Sequence, residues 1–257
     1  MLAANRSSQM RFAATLLVVV SFLVVGVFLG HVAGQQWTPL AAPTSAPQSQ
    51  TYLVLGYDQL VPPAHLLAVW IVQLQNNAQA KLLGISPATI VFLSNGQPAV
   101  LRDVLADPES VNPDVLQSYL KGRPDAVILV DNQAFETVAN RLGGVFLDGR
   151  SLRGQEVVDA LLSDQSSPLD ALEYEAKVLR ALAPRIPPGP EGFILAGLAP
   201  THIRSTIPLD RLLAENETRL PNLGNHVQVV ALDDVSSFTL PGGGQGLLPN
   251  SPPPDPL

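Results

Sequence analysis

The sequence contains no cysteine, which excludes disulfide bonds and thiolate metal sites. Its four histidines are far apart in the chain, so no pair has the spacing of metal ligands and no metal site is predicted. Basic residues are also few. Of the 15, only Arg6 and Arg11 precede residue 51, which leaves 13 basic against 22 acidic residues (net −9) in the rest of the chain. Nucleic acids and anionic lipid headgroups are bound by clustered Lys and Arg, so neither is expected as a general partner.

The longest apolar run, residues 12–33, carries no Asp, Glu, Lys or Arg and is long enough to cross a bilayer as a helix. Arg6 and Arg11 precede it, and the next basic residue is Lys81. The positive-inside rule therefore predicts a cytoplasmic N-terminus over 1–11, a single-pass anchor in the cell membrane over 12–33 and an extracytoplasmic remainder. A cleaved signal peptide is the alternative interpretation, although its apolar region would be long and its small-residue cleavage site poor.

Low-complexity segments lie on both sides of the central part of the chain. Residues 34–50 are uncharged and rich in Gln, Pro, Ala, Ser and Thr, which is typical of a flexible tether. Residues 241–257 are rich in Gly and then in Pro, and we expect a disordered tail there because these residues cannot form a core. The predicted folded domain is therefore 51–240, a length that suits one domain.

Short apolar runs within this domain predict β-strands. Tyr52–Gly56 and Leu66–Leu74 are two of them. Asn76 and Asn77 predict a turn that brings the chain back through a third run at 81–86, so the second and third strands should form a hairpin. Two further strands are expected at residues 125–130 and 226–232.

Helical periodicity and capping residues place helices between these strands. Asn132 is predicted to cap a helix in which Phe135, Val138 and Leu142 recur at i, i+3 and i+7, and Gly143 is predicted to end it in a left-handed conformation. Further helices are expected after Asn112, over 155–162, over 168–182 and over 206–213. Strands interleaved with helices, two of them joined as a hairpin, predict a layered α-β-α domain around a mixed central sheet.

The segment from Val130 to Val145, with its Leu142-Gly143-Gly144 stop, resembles the LytR-CpsA-Psr family. Leu53–Asp58 likewise resembles the opening strand of that family and its Gly-x-Asp, and the resemblance covers about residues 52–232. The family consists of membrane-anchored extracytoplasmic enzymes that transfer glycopolymers from a polyprenyl-pyrophosphate carrier to peptidoglycan. The resemblance implies an α/β fold, a role in cell-envelope assembly, and a polyprenyl lipid or envelope proteins as partners.

Most positions to which the resemblance assigns phosphate chemistry hold other residues in this chain. Pro87 and Ala88 stand where the family has its catalytic Arg and an Asp, and His65 stands where it has a second Asp. Three further arginines and a glutamine of the family correspond to Leu162, Ala171, Tyr174 and Glu175. A pyrophosphate must be neutralised by bidentate Arg side chains or by a carboxylate-bound metal. These replacements therefore predict a catalytically inactive member.

Three residues are candidates for a site. Asp58 is the candidate catalytic carboxylate, although a residue that merely closes the turn after a strand is the competing interpretation, since one carboxylate alone holds Mg²⁺ poorly. Arg150 and Arg153 are candidates for substrate binding because they flank a turn where they could meet a phosphate, and an exposed surface pair is the alternative. No cofactor is expected unless the domain is an active enzyme, in which case Mg²⁺ is expected.

Three hypotheses for the function follow. The first is a non-catalytic binding or scaffolding domain, held at the membrane by its N-terminal helix and acting in cell-envelope assembly. The second is an active phosphotransferase with a rearranged site centred on Asp58, moving a glycopolymer from a polyprenyl-pyrophosphate carrier to the cell wall. The third is an unrelated extracytoplasmic sensor or binding domain that shares only the fold.

Overall fold

A computed structural model describes residues 49–75, 79–120, 122–162, 167–185, 200–208 and 227–250. The predicted cytoplasmic start, the membrane anchor and nearly all of the tether lie outside these ranges. So do residues 209–213 of the last predicted helix and residues 251–257 of the predicted tail. Within the described ranges, no helix is both long enough and apolar enough to cross a membrane.

The described strands are β1 Ser49–Tyr57, β2 Leu66–Gln75, β3 Ala80–Ile85, β4 Ile90–Phe92, β5 Pro98–Val100, β6 Ala126–Asp131, β7 Val145–Leu147, β8 Arg150–Leu152, β9 Ile203–Ser205, β10 Val227–Ala231, β11 Val235–Thr239 and β12 Gln245–Pro249. The described α-helices are α1 Leu101–Val104, α2 Asn132–Arg141, α3 Gly154–Leu162 and α4 Pro168–Leu182. Short 3-10 helices span Pro113–Tyr119, Ala183–Arg185 and Pro200–His202.

Six strands form the central sheet, in the order β10-β3-β2-β1-β6-β9. β1, β2 and β3 are antiparallel neighbours, which confirms the predicted hairpin. β6 runs parallel to β1, β10 runs parallel to β3, and β9 is antiparallel to β6. The sheet is therefore mixed, and the predicted α/β class is confirmed.

Two hydrophobic clusters cover opposite faces of this sheet. Alternate side chains of a strand point to opposite faces, and β1 follows this rule. Tyr52 and Val54 belong to the cluster that contains residues of α2, α3 and α4, whereas Leu53 and Leu55 belong to the cluster that contains α1 and the first 3-10 helix. Phe135 is fully buried in the first cluster, as its helical periodicity predicts.

The N-terminal cap of α2 differs from the prediction. Asp131, rather than Asn132, is the N-cap: its backbone is extended and its Oδ1 accepts hydrogen bonds from the N–H groups of Gln133 and Ala134, both at 3.1 Å. Asn132 is the first helical residue. Asp and Asn are equally good capping residues, so only the end of the strand decides between them. β6 ends at Asp131 because that residue still pairs with Tyr57 of β1.

Helix α2 ends as predicted, at two glycines. Gly143 and Gly144 have φ values of 78° and 81°, in the left-handed region that favours glycine. A Cβ atom on Gly144 would also clash with the carbonyl oxygen of Leu152. The double glycine therefore turns the chain and lets the β7–β8 hairpin approach the helix closely.

The segment predicted to be a disordered tail is partly ordered. β12 pairs antiparallel with β11, and the glycines that suggested disorder form the tight turn between them, where Gly243 has a φ of 84°. The N–H of Leu247 also donates to the carbonyl of Ala88 at 2.9 Å, which fixes the hairpin beside the segment that follows β3. At the other end, Ser49 and Gln50 begin β1, although the prediction placed them in the tether.

Candidate functional site

A cavity of about 320 Å³ opens at the sheet edge where β1 and β3 end and β2 begins. These three strand ends meet because Tyr57 pairs with Leu66 and Ile85 pairs with Val69 in antiparallel register. The lining comes from this edge, from α1 and the residues after it, and from α4: Ala64, His65, Leu66, Leu67, Ser86, Pro87, Ala88, Arg102, Asp103, Ala106, Pro168, Ala171, Leu172 and Glu175.

Helix α4 supplies one wall of the cavity. Pro168, Ala171, Leu172 and Glu175 recur at i, i+3, i+4 and i+7, so they lie on one face of the helix. The side chain of Ser167 caps the helix, and Pro168 occupies the first turn, where its missing N–H costs nothing. The sequence thus fixes both the start of α4 and the residues that it presents to the cavity.

The turn after β3 supplies a second wall. The N–H of Thr89 donates to the carbonyl of Ser86 at 2.9 Å, and the N–H of Ala88 donates to the Ser86 hydroxyl at 3.2 Å. The carbonyl of Pro87 accepts a hydrogen bond from the N–H of Arg102 at 2.9 Å. This last contact joins the start of α1 to the turn and brings the Arg102 side chain to the cavity.

Asp58 and His65 form a hydrogen-bonded pair beside this cavity, which His65 lines. The Nδ1 atom of His65 lies 2.7 Å from Oδ2 of Asp58. The other carboxylate oxygen, Oδ1, accepts hydrogen bonds from the N–H groups of Gln59 at 2.8 Å and His65 at 2.7 Å. The Asp58 side chain is only 12% exposed, whereas the His65 side chain is 55% exposed.

These contacts do not suit Asp58 to bind Mg²⁺. Both of its oxygens already accept hydrogen bonds, and Mg²⁺ requires octahedral oxygen ligands at short distances. In the part of the chain that the structure describes, no group of three or more His, Asp or Glu side chains could hold a metal ion. Among the described residues, Asp58 and its neighbours therefore do not fit Mg²⁺, and the contacts of Asp58 are those of a residue that closes the turn after β1.

One basic and two acidic side chains line the cavity. Arg102 contributes one positive charge, and its Nε lies 3.8 Å from Oδ1 of Asp103. Glu175 adds a second carboxylate and is buried. Sequence reasoning did not single out Arg102, because its position depends on the backbone hydrogen bond of α1 to the turn at Pro87 and no local motif marks it.

The replaced positions of the family resemblance come together in this cavity. Of the residues that stand where the family has its phosphate-handling side chains, five line the cavity: His65, Pro87, Ala88, Ala171 and Glu175. They come from three different parts of the chain. The positions that the resemblance singles out are far apart in the sequence and lie together in the structure, as the residues of a functional site do.

Arg150 and Arg153 are not among the residues that line the cavity. Arg150 begins β8 and is close to Tyr174, whose pKa is raised by burial while the positive charge of Arg150 acts in the opposite direction. The N–H of Arg153 donates to Oε2 of Glu156 at 3.0 Å, near the start of α3. The structure does not bring either arginine to the cavity beside Asp58.

A second Asp–His pair, which sequence reasoning also missed, lies at the same edge of the sheet. The Nδ1 of His202 lies 2.7 Å from Oδ2 of Asp131. Asp131 pairs with Tyr57 in parallel register, so it lies beside the strand end that carries Asp58. The signal available in the sequence was that Asp58 and Asp131 each stand at the end of an apolar run. Asp131 does not line the cavity, and its contacts are those of a helix cap.

Solved structures share the fold of this chain. B. subtilis TagV superposes with a TM-score of 0.65 at 16% identity, over 80% of this chain and 92% of that one. TagT bound to LIIa-WTA gives a TM-score of 0.64 at 17% identity, over 84% and 92%. Protein gbs0355 from Streptococcus agalactiae gives 0.65 at 11% identity, over 79% and 82%. No protein-family model and no curated protein matches the sequence. These likenesses confirm the LytR-CpsA-Psr resemblance at the level of the fold.

Proposed function

We propose that this domain is a non-catalytic binding or scaffolding component in the assembly of cell-wall glycopolymers. The fold that it shares with its structural neighbours supports a role connected with such polymers. Since one fold can carry many activities, the shared fold alone does not indicate whether the domain is catalytic.

The proposal depends on the side chains that line the cavity. Where the family resemblance expects Arg, Asp and Arg, the lining has Pro87, Ala88 and Ala171. Transfer between phosphates is catalysed mostly by positioning and by stabilisation of negative charge. Among the lining residues that the structure describes, only Arg102 supplies a guanidinium, and Asp103 lies beside it. The charges of a pyrophosphate would therefore remain largely uncompensated in this cavity.

An active phosphotransferase is the second candidate, because the Asp58–His65 pair and Arg102 lie at one cavity. The two candidates are separated by incubating the full chain in detergent micelles, with Mg²⁺ and a polyprenyl-pyrophosphate-linked saccharide, and by following polyprenyl phosphate release by chromatography. We expect no product above a control without protein, whereas an active member of the family assayed in parallel forms product. Metal-dependent release that is abolished by Asp58→Ala would contradict the proposal and support the second candidate.

We also propose that residues 12–33 anchor the chain in the cell membrane with its N-terminus in the cytoplasm. The uncharged apolar run and the preceding Arg6 and Arg11 support this. In this location the domain would meet polyprenyl lipids and envelope proteins. The chain should remain in the membrane fraction after alkaline carbonate extraction, and protease added outside spheroplasts should digest the domain. A shortened chain in the soluble extracellular fraction would indicate a cleaved signal peptide instead.

A further inference from the structure

Strand β11 presents an open edge on the side away from β12. The N–H of Leu240 donates to the carbonyl of Gly244 at 2.7 Å, which makes these two residues a hydrogen-bonded pair of the hairpin. Such pairs alternate along an antiparallel ladder, so Val235, Ser237 and Thr239 direct their N–H and C=O groups away from β12. Ser237 and Thr239 are exposed, and among the described residues no strand pairs with β11 on this side.

No feature of β11 protects this edge from a second strand. Exposed edges are usually protected by charged side chains, by proline or by a bulge. The strand Val235–Thr239 has neither a charged residue nor a proline, and its pairing with β12 is regular from end to end. The nearest charged residues are Asp233 and Asp234, which precede the strand. The edge is therefore open to the addition of another strand.

The backbone of β11 is complementary to a second copy of itself. Antiparallel pairing about Ser237 would place this residue opposite its own copy, and Val235 opposite the partner's Thr239. The outward N–H and C=O groups would then form two hydrogen bonds at the central pair and one at each end. The end pairs form only one each because the N–H of Val235 already donates to the carbonyl of Asp233 at 2.9 Å.

Side chains and charges agree with the same register. Val235 and the partner's Thr239 are both β-branched, a favourable cross-strand pair. Asp234 would lie opposite the partner's Leu240, so the aspartates of the two copies would not face each other. This matters because the chain after residue 50 has a net charge of −9, and copies of it repel in general. The uncharged β11 lets two copies meet without adjacent like charges.

We propose that two copies of this chain associate through β11 to form a symmetric dimer, in which the two hairpins become one four-stranded sheet. The pairing uses the open edge of each copy, so the assembly closes at two. Each copy contributes one short strand, and a contact of this size gives a weak, reversible dimer. This proposal goes beyond the proposed function and does not depend on it.

The absence of cysteine from the chain permits a direct test. Ser237→Cys would place two thiols across the dimer axis with their Cα atoms about 5.5 Å apart, within the range that a disulfide spans. Ser236→Cys is the matched control, since Ser236 is also exposed and adjacent in sequence. Its copy would lie diagonally across the axis, at about 7–8 Å, which is too far for a disulfide.

Each full-length variant is oxidised with copper phenanthroline in nonionic detergent, and the dimer is measured on a nonreducing gel. We expect at least about tenfold more cross-linked dimer for Ser237→Cys than for Ser236→Cys. Equal cross-linking of the two variants would show that the dimers arise from random collisions and would overturn the proposal. The absence of cross-linking in both variants would overturn it too.

A proline variant provides a second test. Ser237→Pro removes an N–H that β12 does not use, and an edge strand accepts proline where its N–H faces solvent. In the unchanged protein, amide exchange at Thr239 should slow as the protein concentration rises, and in the variant this dependence should be lost. Slow exchange at every concentration would show that another segment of the same chain covers the edge, which would contradict the proposal. If the variant does not fold, the two cysteine variants still decide.

Discussion

The Nδ1 of His65 lies 2.7 Å from Oδ2 of Asp58, at a place where the family resemblance expects two carboxylates. Two carboxylates repel each other and together attract a cation, whereas an imidazole N–H donates to the remaining carboxylate. With His65 in place of an Asp, two carboxylates that could bind a metal ion together are replaced by a carboxylate and an imidazole that hydrogen-bond to each other. At Pro87 and Ala171, where the family resemblance expects arginines, the described lining of the cavity likewise lacks guanidinium groups that would neutralise a pyrophosphate.

The Asp58–His65 pair gives a first prediction. Asp58→Ala should lower the free energy of unfolding by about 1–3 kcal/mol, because it removes the acceptor of the N–H groups of Gln59 and His65. His65→Ala should cost less than about 1 kcal/mol, because the imidazole is largely exposed and its pair with Asp58 is weakened by solvent. Urea unfolding of the full chain in detergent measures both values. Equal losses for the two variants would show that the side-chain pair, and not the backbone contacts, stabilises the turn.

The cap of α2 gives a second prediction, with its control at the adjacent position. Asp131→Ala should lower the free energy of unfolding by about 1–3 kcal/mol, because it removes the helix cap and the partner of His202. Asn132→Ala should change it by less than about 0.5 kcal/mol or raise it, because Asn132 Oδ1 is buried without a hydrogen-bond partner in the described structure. The same urea titration measures both. A larger loss of unfolding free energy for Asn132→Ala than for Asp131→Ala would indicate that Asn132, the cap predicted from the sequence, caps the helix.

Local patterns in the sequence predicted the elements that depend on local physics. Phe135 and Val138 recur on one face of a helix and are buried, and Gly143 ends that helix with a positive φ. The apolar runs on both sides of the turn predicted at Asn76, which itself lies outside the described residues, form neighbouring strands. Each of these outcomes is determined within about ten residues by periodicity or by the conformational freedom of glycine.

The features that sequence patterns did not predict depend on contacts between segments that are distant in the chain. The cavity joins His65, Ala88, Arg102 and Glu175, which only the packing of α1 and α4 against the sheet edge brings together. The family resemblance located three of these four positions, because it carries information on tertiary structure that periodicity lacks. Arg102 corresponds to no motif. The ordered hairpin near the C-terminus was missed for a related reason, since its glycines are typical of both disorder and a tight turn.

That hairpin gives a third prediction. A chain truncated after Leu240, the predicted end of the domain, loses β12 and with it the hydrogen bond from Leu247 to the carbonyl of Ala88. A chain truncated after Asn250 keeps both. We expect the shorter chain to unfold at a lower temperature and to exchange backbone amide hydrogens faster over residues 86–91, because that segment loses a neighbour that contacts Ile90. Equal exchange over 86–91 in the two chains would show that the hairpin does not support the wall of the cavity.

The last prediction concerns alkaline pH and Tyr119. This tyrosine is almost fully buried, and burial raises the pKa of its phenol from 10.0 to about 12. The folded state thus favours the neutral phenol. The resulting stabilisation is complete below about pH 10, where the phenol is neutral in the unfolded chain too, and it is lost as the pH rises from about 10 to about 12.

Tyr119→Phe removes this titration and keeps the buried ring. Between about pH 9.5 and 11.5, the free energy of unfolding should therefore fall by about 1–2 kcal/mol less in the variant than in the unchanged protein. The fall should not vanish, because burial and the charge of Asp107 also raise the pKa of Tyr57, which the variant retains. Urea unfolding at a series of pH values measures both curves. If the two curves run parallel over this range, the phenol of Tyr119 ionises in the folded protein as readily as in the unfolded chain, and the inferred effect of its burial is wrong.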